Sequence, residues 1–130
     1  MKMALNLSNA RDKQLPERIK EVQEIWGSAG LTYEVDWDSF TNDIELNYVD
    51  NVSCHRVSMA LRCLSYNKNS WGALKAKGLR KIRLENTTNP SATAISVKDE
   101  VLCMTCHYAS GISGAFSDST ISHALQEYAP

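Results

Sequence analysis

Apolar residues recur at steps of three and four through "LPERIKEVQEIWGSAG". Leu15, Ile19, Val22 and Trp26 share one face, and the spacing predicts a helix. Pro16 suits its first turn, Glu17 favours the N-terminal end of its dipole, and Gly27 and Gly30 end it. The period then changes to two. Leu31, Tyr33, Val35 and Trp37 alternate with Thr32, Glu34 and Asp36, as a half-buried strand does. In "DIELNYV", residues 43–49, Ile44, Leu46 and Tyr48 alternate and predict a second strand, although Phe40, Ile44 and Tyr48 also keep a helical step of four.

The pattern returns to helix at "SCHRVSMALRCLSY", with Ser53 as the expected cap and Cys54, Val57, Leu61 and Leu64 on one face. "NSWGALKAKGL" predicts a shorter helix from a Ser70 cap to a stop at Gly78. "RKIRLEN" is then a strand and "TTNPSA" a loop. "TAISVKDEVLCMTCHYA" has the form of a hairpin turning at Lys98-Asp99, with Ile95 opposite Leu102 and Ala94 opposite Cys103. "SGISGAFS" is a loop, after which Asp118 caps a last helix carrying Ile121, Leu125 and Tyr128. The order α-β-β-α-α-β-β-β-α predicts an α+β domain over residues 1–130. Its sheet is mainly antiparallel, of about five strands, with three to four helices packed on it.

Composition agrees with a folded domain: 130 residues, 43% hydrophobic and 22% charged, enough to bury a core without covalent staples. No run reaches the length of a membrane span, so no membrane partner is expected. At the N-terminus "MALNL" turns polar too soon for an export signal, which implies a cytoplasmic chain. In that compartment Cys54, Cys63, Cys103 and Cys106 are expected as reduced thiols, in the core or on a metal.

Charge changes the picture more. The net charge is −1, but residues 1–52 carry −5, residues 53–83 carry +8 with no acidic residue, and residues 84–130 carry −4. The basic block includes Lys75, Lys77, Arg80, Lys81 and Arg83 near Tyr66 and Trp71, a composition that can track a phosphate backbone and stack bases. The slightly acidic total argues against a dedicated nucleic-acid module. Residues 34–50 offer another destination for these cations: Glu34, Asp36, Asp38, Asp43, Glu45 and Asp50, with no Lys or Arg among them. The two segments can neutralise each other within a chain or across a dimer.

The one sharp chemical motif is "CMTCH", residues 103–107. Its spacing is that of haem attachment, and equally of half a zinc site or a redox pair. Haem attachment needs an export route that the N-terminus does not provide. On a strand, Cys103, Thr105 and His107 face one way and Met104, Cys106 and Tyr108 the other, so the two thiols cannot share a metal or a disulfide without a bulge. A zinc or redox site at Cys103, Cys106 and His107 is the alternative; buried thiols on a strand are the default, with no cofactor. "GISGA" only approaches a nucleophile elbow, and Ser113, Asp118 and His123 are too close in sequence to be placed as that fold places its triad. His123 and Glu127 are spaced to pair on the last helix.

No catalytic constellation emerges, so the sequence favours a binding or protein-interaction module, with self-association or another protein as partner. If it holds a small apolar or cationic ligand, the aromatic side chains Tyr33, Trp37 and Tyr48 are the expected walls.

Overall fold

A computed structural model describes residues 6–130 of the chain. The reading of the first five residues, with most of "MALNL", lies outside the described residues. Five helices and a four-stranded mixed sheet make an α+β fold. A helical turn at Leu7–Asn9 and a π-helical turn at Ala10–Gln14 lead into helix α1, Leu15–Trp26. Strand β1 (Thr32–Val35), helix α2 (Asp43–Tyr48), a second π-helical turn (Val49–Cys54), and helices α3 (His55–Ser65) and α4 (Lys68–Lys77) follow. Strands β2 (Lys81–Asn86), β3 (Ala94–Lys98) and β4 (Val101–Cys106) complete the sheet, and helix α5 (Asp118–Tyr128) closes the chain.

The sheet corrects the sequence expectation twice: it has four strands, and it is not mainly antiparallel. The order is β1-β2-β4-β3, with β1 parallel to β2, β2 parallel to β4, and only β3–β4 antiparallel. The missing fifth strand is residues 43–48, which are helical. Asn42 caps that helix by accepting a hydrogen bond from the Glu45 amide at 2.9 Å. The Glu45 carboxylate reaches back to the Thr41 amide at 2.7 Å and the Thr41 hydroxyl at 2.9 Å, in the manner of a capping box. A strand would have buried Ile44 and exposed Glu45. Instead Ile44 is 68% exposed and Glu45 only 3%.

The hairpin forms, but one turn position later and two residues out of the expected register. Asp99 and Glu100 make the turn, both with positive φ (53° and 66°), as a tight hairpin turn of right-handed twist requires. Ile95 therefore lies opposite Met104, and Ser96 opposite Cys103. A slip of two preserves which face each side chain takes. Leu102, Met104 and Cys106 point into the core; Val101, Cys103 and Thr105 point away.

One apolar core fills the space between the helices and one face of the sheet. Tyr33, Val35, Ile82, Leu84, Leu102 and Met104 come from the strands, and Val22, Trp26, Val57, Leu61, Ile121 and Leu125 from α1, α3 and α5. The opposite face carries Glu34, Lys81, Arg83, Glu85 and Cys103, all only partly covered. Three expected caps shift. Asn67, not Ser70, caps α4, accepting from the Asn69 and Ser70 amides at 3.1 Å each. Ser117, not Asp118, caps α5. Ser53 lies inside the π-turn, buried, with its hydroxyl 2.7 Å from that of Tyr108. No helix among the described residues is long and apolar enough to cross a membrane.

Candidate functional site

A charged groove of about 520 Å³ runs along the outer side of α1 and reaches the second π-turn and α3. Both π-turns line it. The first supplies Lys13 and Gln14, the second Asp50. A π-turn holds one more residue than an α-turn, which widens the helix locally and re-aims the side chains beside it.

The floor is an ion network. Arg18 on α1 holds Asp50 through two nitrogens, Nε at 2.6 Å and Nη2 at 3.4 Å, and reaches Glu21 from Nη1 at 3.1 Å. Glu21 also accepts from the Ser58 hydroxyl at 2.5 Å and faces Arg62 at 3.6 Å, both on α3. The hydrogen bond to Asp50 is the main cause that raises Arg18 above its ordinary pKa, against burial. Burial alone would raise Glu21; Ser58, Arg18 and Arg62 outweigh it and hold the carboxyl below its ordinary value. Arg18 and Asp50 are 26% and 15% exposed at the side chain, so water screens them less than a surface pair. The network ties α1 to α3 and to the turn before it.

Above this floor, Lys13 of the first π-turn and Glu17, Lys20 and Glu24 of α1 form a ridge, all exposed and all lining the groove. None of the four makes an ion pair among the described residues. Beneath it lies Tyr33, 6% exposed, whose hydroxyl has no hydrogen-bond partner among the described residues. Burial first, then the Cys54 thiol and Glu21, raise its pKa well above the ordinary tyrosine value.

The aromatic residues expected to wall a ligand are dispersed. Tyr33 is in the core, Trp37 packs on Phe40 with ring centroids 6.1 Å apart, and the Tyr48 hydroxyl lies against Gly111. None of the three lines the groove. Each residue of the basic group has an internal partner. Lys75 donates to the Trp26 carbonyl at 2.5 Å and sits 4.2 Å from a Trp26 ring centroid, and Lys77 lies 4.6 Å over Tyr128. Arg80 faces Glu100 at 3.8 Å, Lys81 donates to Glu34 at 2.7 Å, and Arg83 meets Glu34, Asp36 and Glu85. Parallel pairing of β1 with β2 puts Glu34 beside Arg83, so acidic and basic segments meet here within one chain.

The "CMTCH" side chains separate as alternation requires. Cys106 is buried, whereas Cys103 lies on the open face with Sγ 3.6 Å from a Glu85 oxygen. Burial raises both thiols above their ordinary pKa, and for Cys103 the Glu85 charge adds to it. Neither thiol is poised as a thiolate. His107 turns to Ser110, Nδ1 to Oγ at 2.6 Å, beside a smaller hollow lined by Pro90 and Phe116. This pair closes a single turn, since the Ser110 amide also donates to the His107 carbonyl at 3.0 Å. No group of three or more His, Cys, Asp or Glu side chains among the described residues is placed to hold a metal. His123 and Glu127 do pair, at 2.8 Å on the exposed side of α5.

Sequence reasoning missed the groove. The alternating Lys13, Glu17, Lys20 and Glu24 were a readable signal, and Arg18–Glu21 is an ordinary i,i+3 pair. Asp50, 32 positions from Arg18, carried none. No family model, curated protein or solved structure matches this chain.

Proposed function

We propose that the protein is a non-catalytic interaction module that takes a charge-patterned polypeptide, such as the exposed face of a helix, in the groove along α1. The observation that carries this reading is the division of labour among the groove's charges. Those of the floor are spent on one another: Arg18 on Asp50 and Glu21, and Glu21 on Ser58 and Arg62. They hold a shape. Those of the ridge have no internal partner among the described residues and are exposed to an incoming one.

The balance of signs narrows the partner. Four cations, Lys13, Arg18, Lys20 and Arg62, face four carboxylates, Glu17, Glu21, Glu24 and Asp50. A polyanion or a polycation would meet as much repulsion as attraction; a polypeptide with alternating charge would not. The mostly charged lining also offers little to an apolar small molecule.

The reading is tested by amide chemical-shift titration at low salt with a synthetic helical peptide of alternating Glu and Lys, against heparin as the control. The expected result is a set of shifts on Lys13–Glu24, Val49–Cys54 and Arg62 with the peptide, and none there with heparin. Groove shifts with heparin as large as those with the peptide, or no response of the groove to the peptide, would refute it.

A further inference from the structure

The ridge has a symmetry that narrows the partner further. Its charges run plus, minus, plus, minus at positions 13, 17, 20 and 24, all in the lining of the groove. Laid antiparallel on a second copy of itself, the ridge puts Lys13 opposite Glu24 and Glu17 opposite Lys20. Both pairs sum to 37, so one two-fold axis passing between residues 18 and 19 satisfies all four contacts at once. The parallel arrangement does the reverse and opposes like charges throughout.

We infer that the occupant of the groove is a second copy of this chain, bound through antiparallel α1 helices related by a two-fold axis. The inference rests on the reading of the groove given above. A ridge beside a groove suits such an axis, because each copy's ridge enters the other's groove in the same operation. Charge complementarity, not apolar area, supplies the specificity. The contact is accordingly weak and sensitive to salt.

The experiment is a charge swap read by sedimentation equilibrium at low salt. The four ridge residues are exposed, so Glu17→Lys and Lys20→Glu leave the core untouched, and circular dichroism confirms the fold. Wild type is expected to dimerise. Each single variant turns two attractive contacts into two repulsive ones and is expected to weaken self-association about tenfold or more. Mixing the two variants restores it: one chain then carries Lys at both positions and the other Glu at both, so every contact is opposite in sign. The double variant E17K/K20E also dimerises, its pairs being exchanged end for end.

A wild type that stays monomeric overturns the inference, as does dimerisation that ignores the single reversals or a mixture that fails to associate. These failures are distinct from failure of the groove reading. A monomeric protein whose groove still binds the alternating peptide assigns the groove to a foreign helix; one that does neither loses both.

Discussion

Replacing Tyr33 with Phe should make the protein more stable, against the usual direction of core substitutions. The side chain is 6% exposed, and its hydroxyl is the one buried side-chain polar atom among the described residues with no hydrogen-bond partner. Leaving such a group dry and unpaired costs about 1–3 kcal/mol relative to its solvated state in the unfolded chain. Phenylalanine removes that cost and leaves a hydroxyl-sized gap, whose lost contacts take back up to about 1 kcal/mol. The net gain is about 1 kcal/mol. At about 2.1 cal/mol/K per residue, the unfolding entropy of 130 residues is about 0.27 kcal/mol/K, so Tm should rise by about 4 °C. Differential scanning calorimetry of both proteins at neutral pH measures this directly. A fall in Tm would refute the reasoning, because it would mean that the hydroxyl is bonded in solution. A double-mutant cycle with Cys54→Ala then identifies the thiol as that partner if the two effects are not additive.

The ion network makes stability depend on acid. Glu21 is held below its ordinary pKa in the folded state, so its contribution is fully present above the ordinary glutamate value of about 4.3 and is lost as pH falls through the lowered one. Urea midpoints should therefore show wild type exceeding Glu21→Gln at neutral pH and the gap closing below that value; a gap constant with pH would refute the assignment. The thiols should react in order of exposure. Native iodoacetamide labelling is expected first at exposed Cys63, then at Cys103, while buried Cys54, whose pKa burial pushes up to about 12, and Cys106 wait for unfolding. Early labelling of Cys106 would show that the edge of the core at β4 opens readily and would return "CMTCH" to consideration as a working thiol pair.

The parts of the fold that were legible in sequence are those where side-chain periodicity decides the outcome. The helices carrying Val22 and Leu61 and the alternation of β4 follow from burial of one face. The hairpin was legible in its faces but not its register, because a two-residue slip leaves every side chain on the side it had. Residues 43–48 were misread because alternation of Ile44, Leu46 and Tyr48 imitates a strand, whereas the deciding interaction is the polar cap of Asn42 and Glu45. Parallel pairing of β2 with β4 has no local signature, since it is set by how distant segments pack. The site divides in the same way. The ridge along α1 and the π-turn before it repeats at steps of three and four and could be read, but the bond from Arg18 to Asp50 joins two elements that only the tertiary fold brings together.

The order of the strands sets an order of assembly. Strands β3 and β4 meet across a two-residue turn, and β4 finds β2 twenty positions away (Lys81 to Val101). Strand β1 must find β2 across forty-nine (Thr32 to Lys81), with three helices in between. The entropy of closing a loop grows with its length, so the segment of α1 and β1 is expected to dock after the hairpin has paired with β2. Amide exchange should accordingly be faster at Thr32–Val35 than at Ile82–Leu84. The same segment carries most of the ridge of the groove, so the proposed binding surface is expected to be completed late in folding. A partner bound there as proposed would hold α1 on the sheet, so that binding and resistance to local unfolding would be one equilibrium.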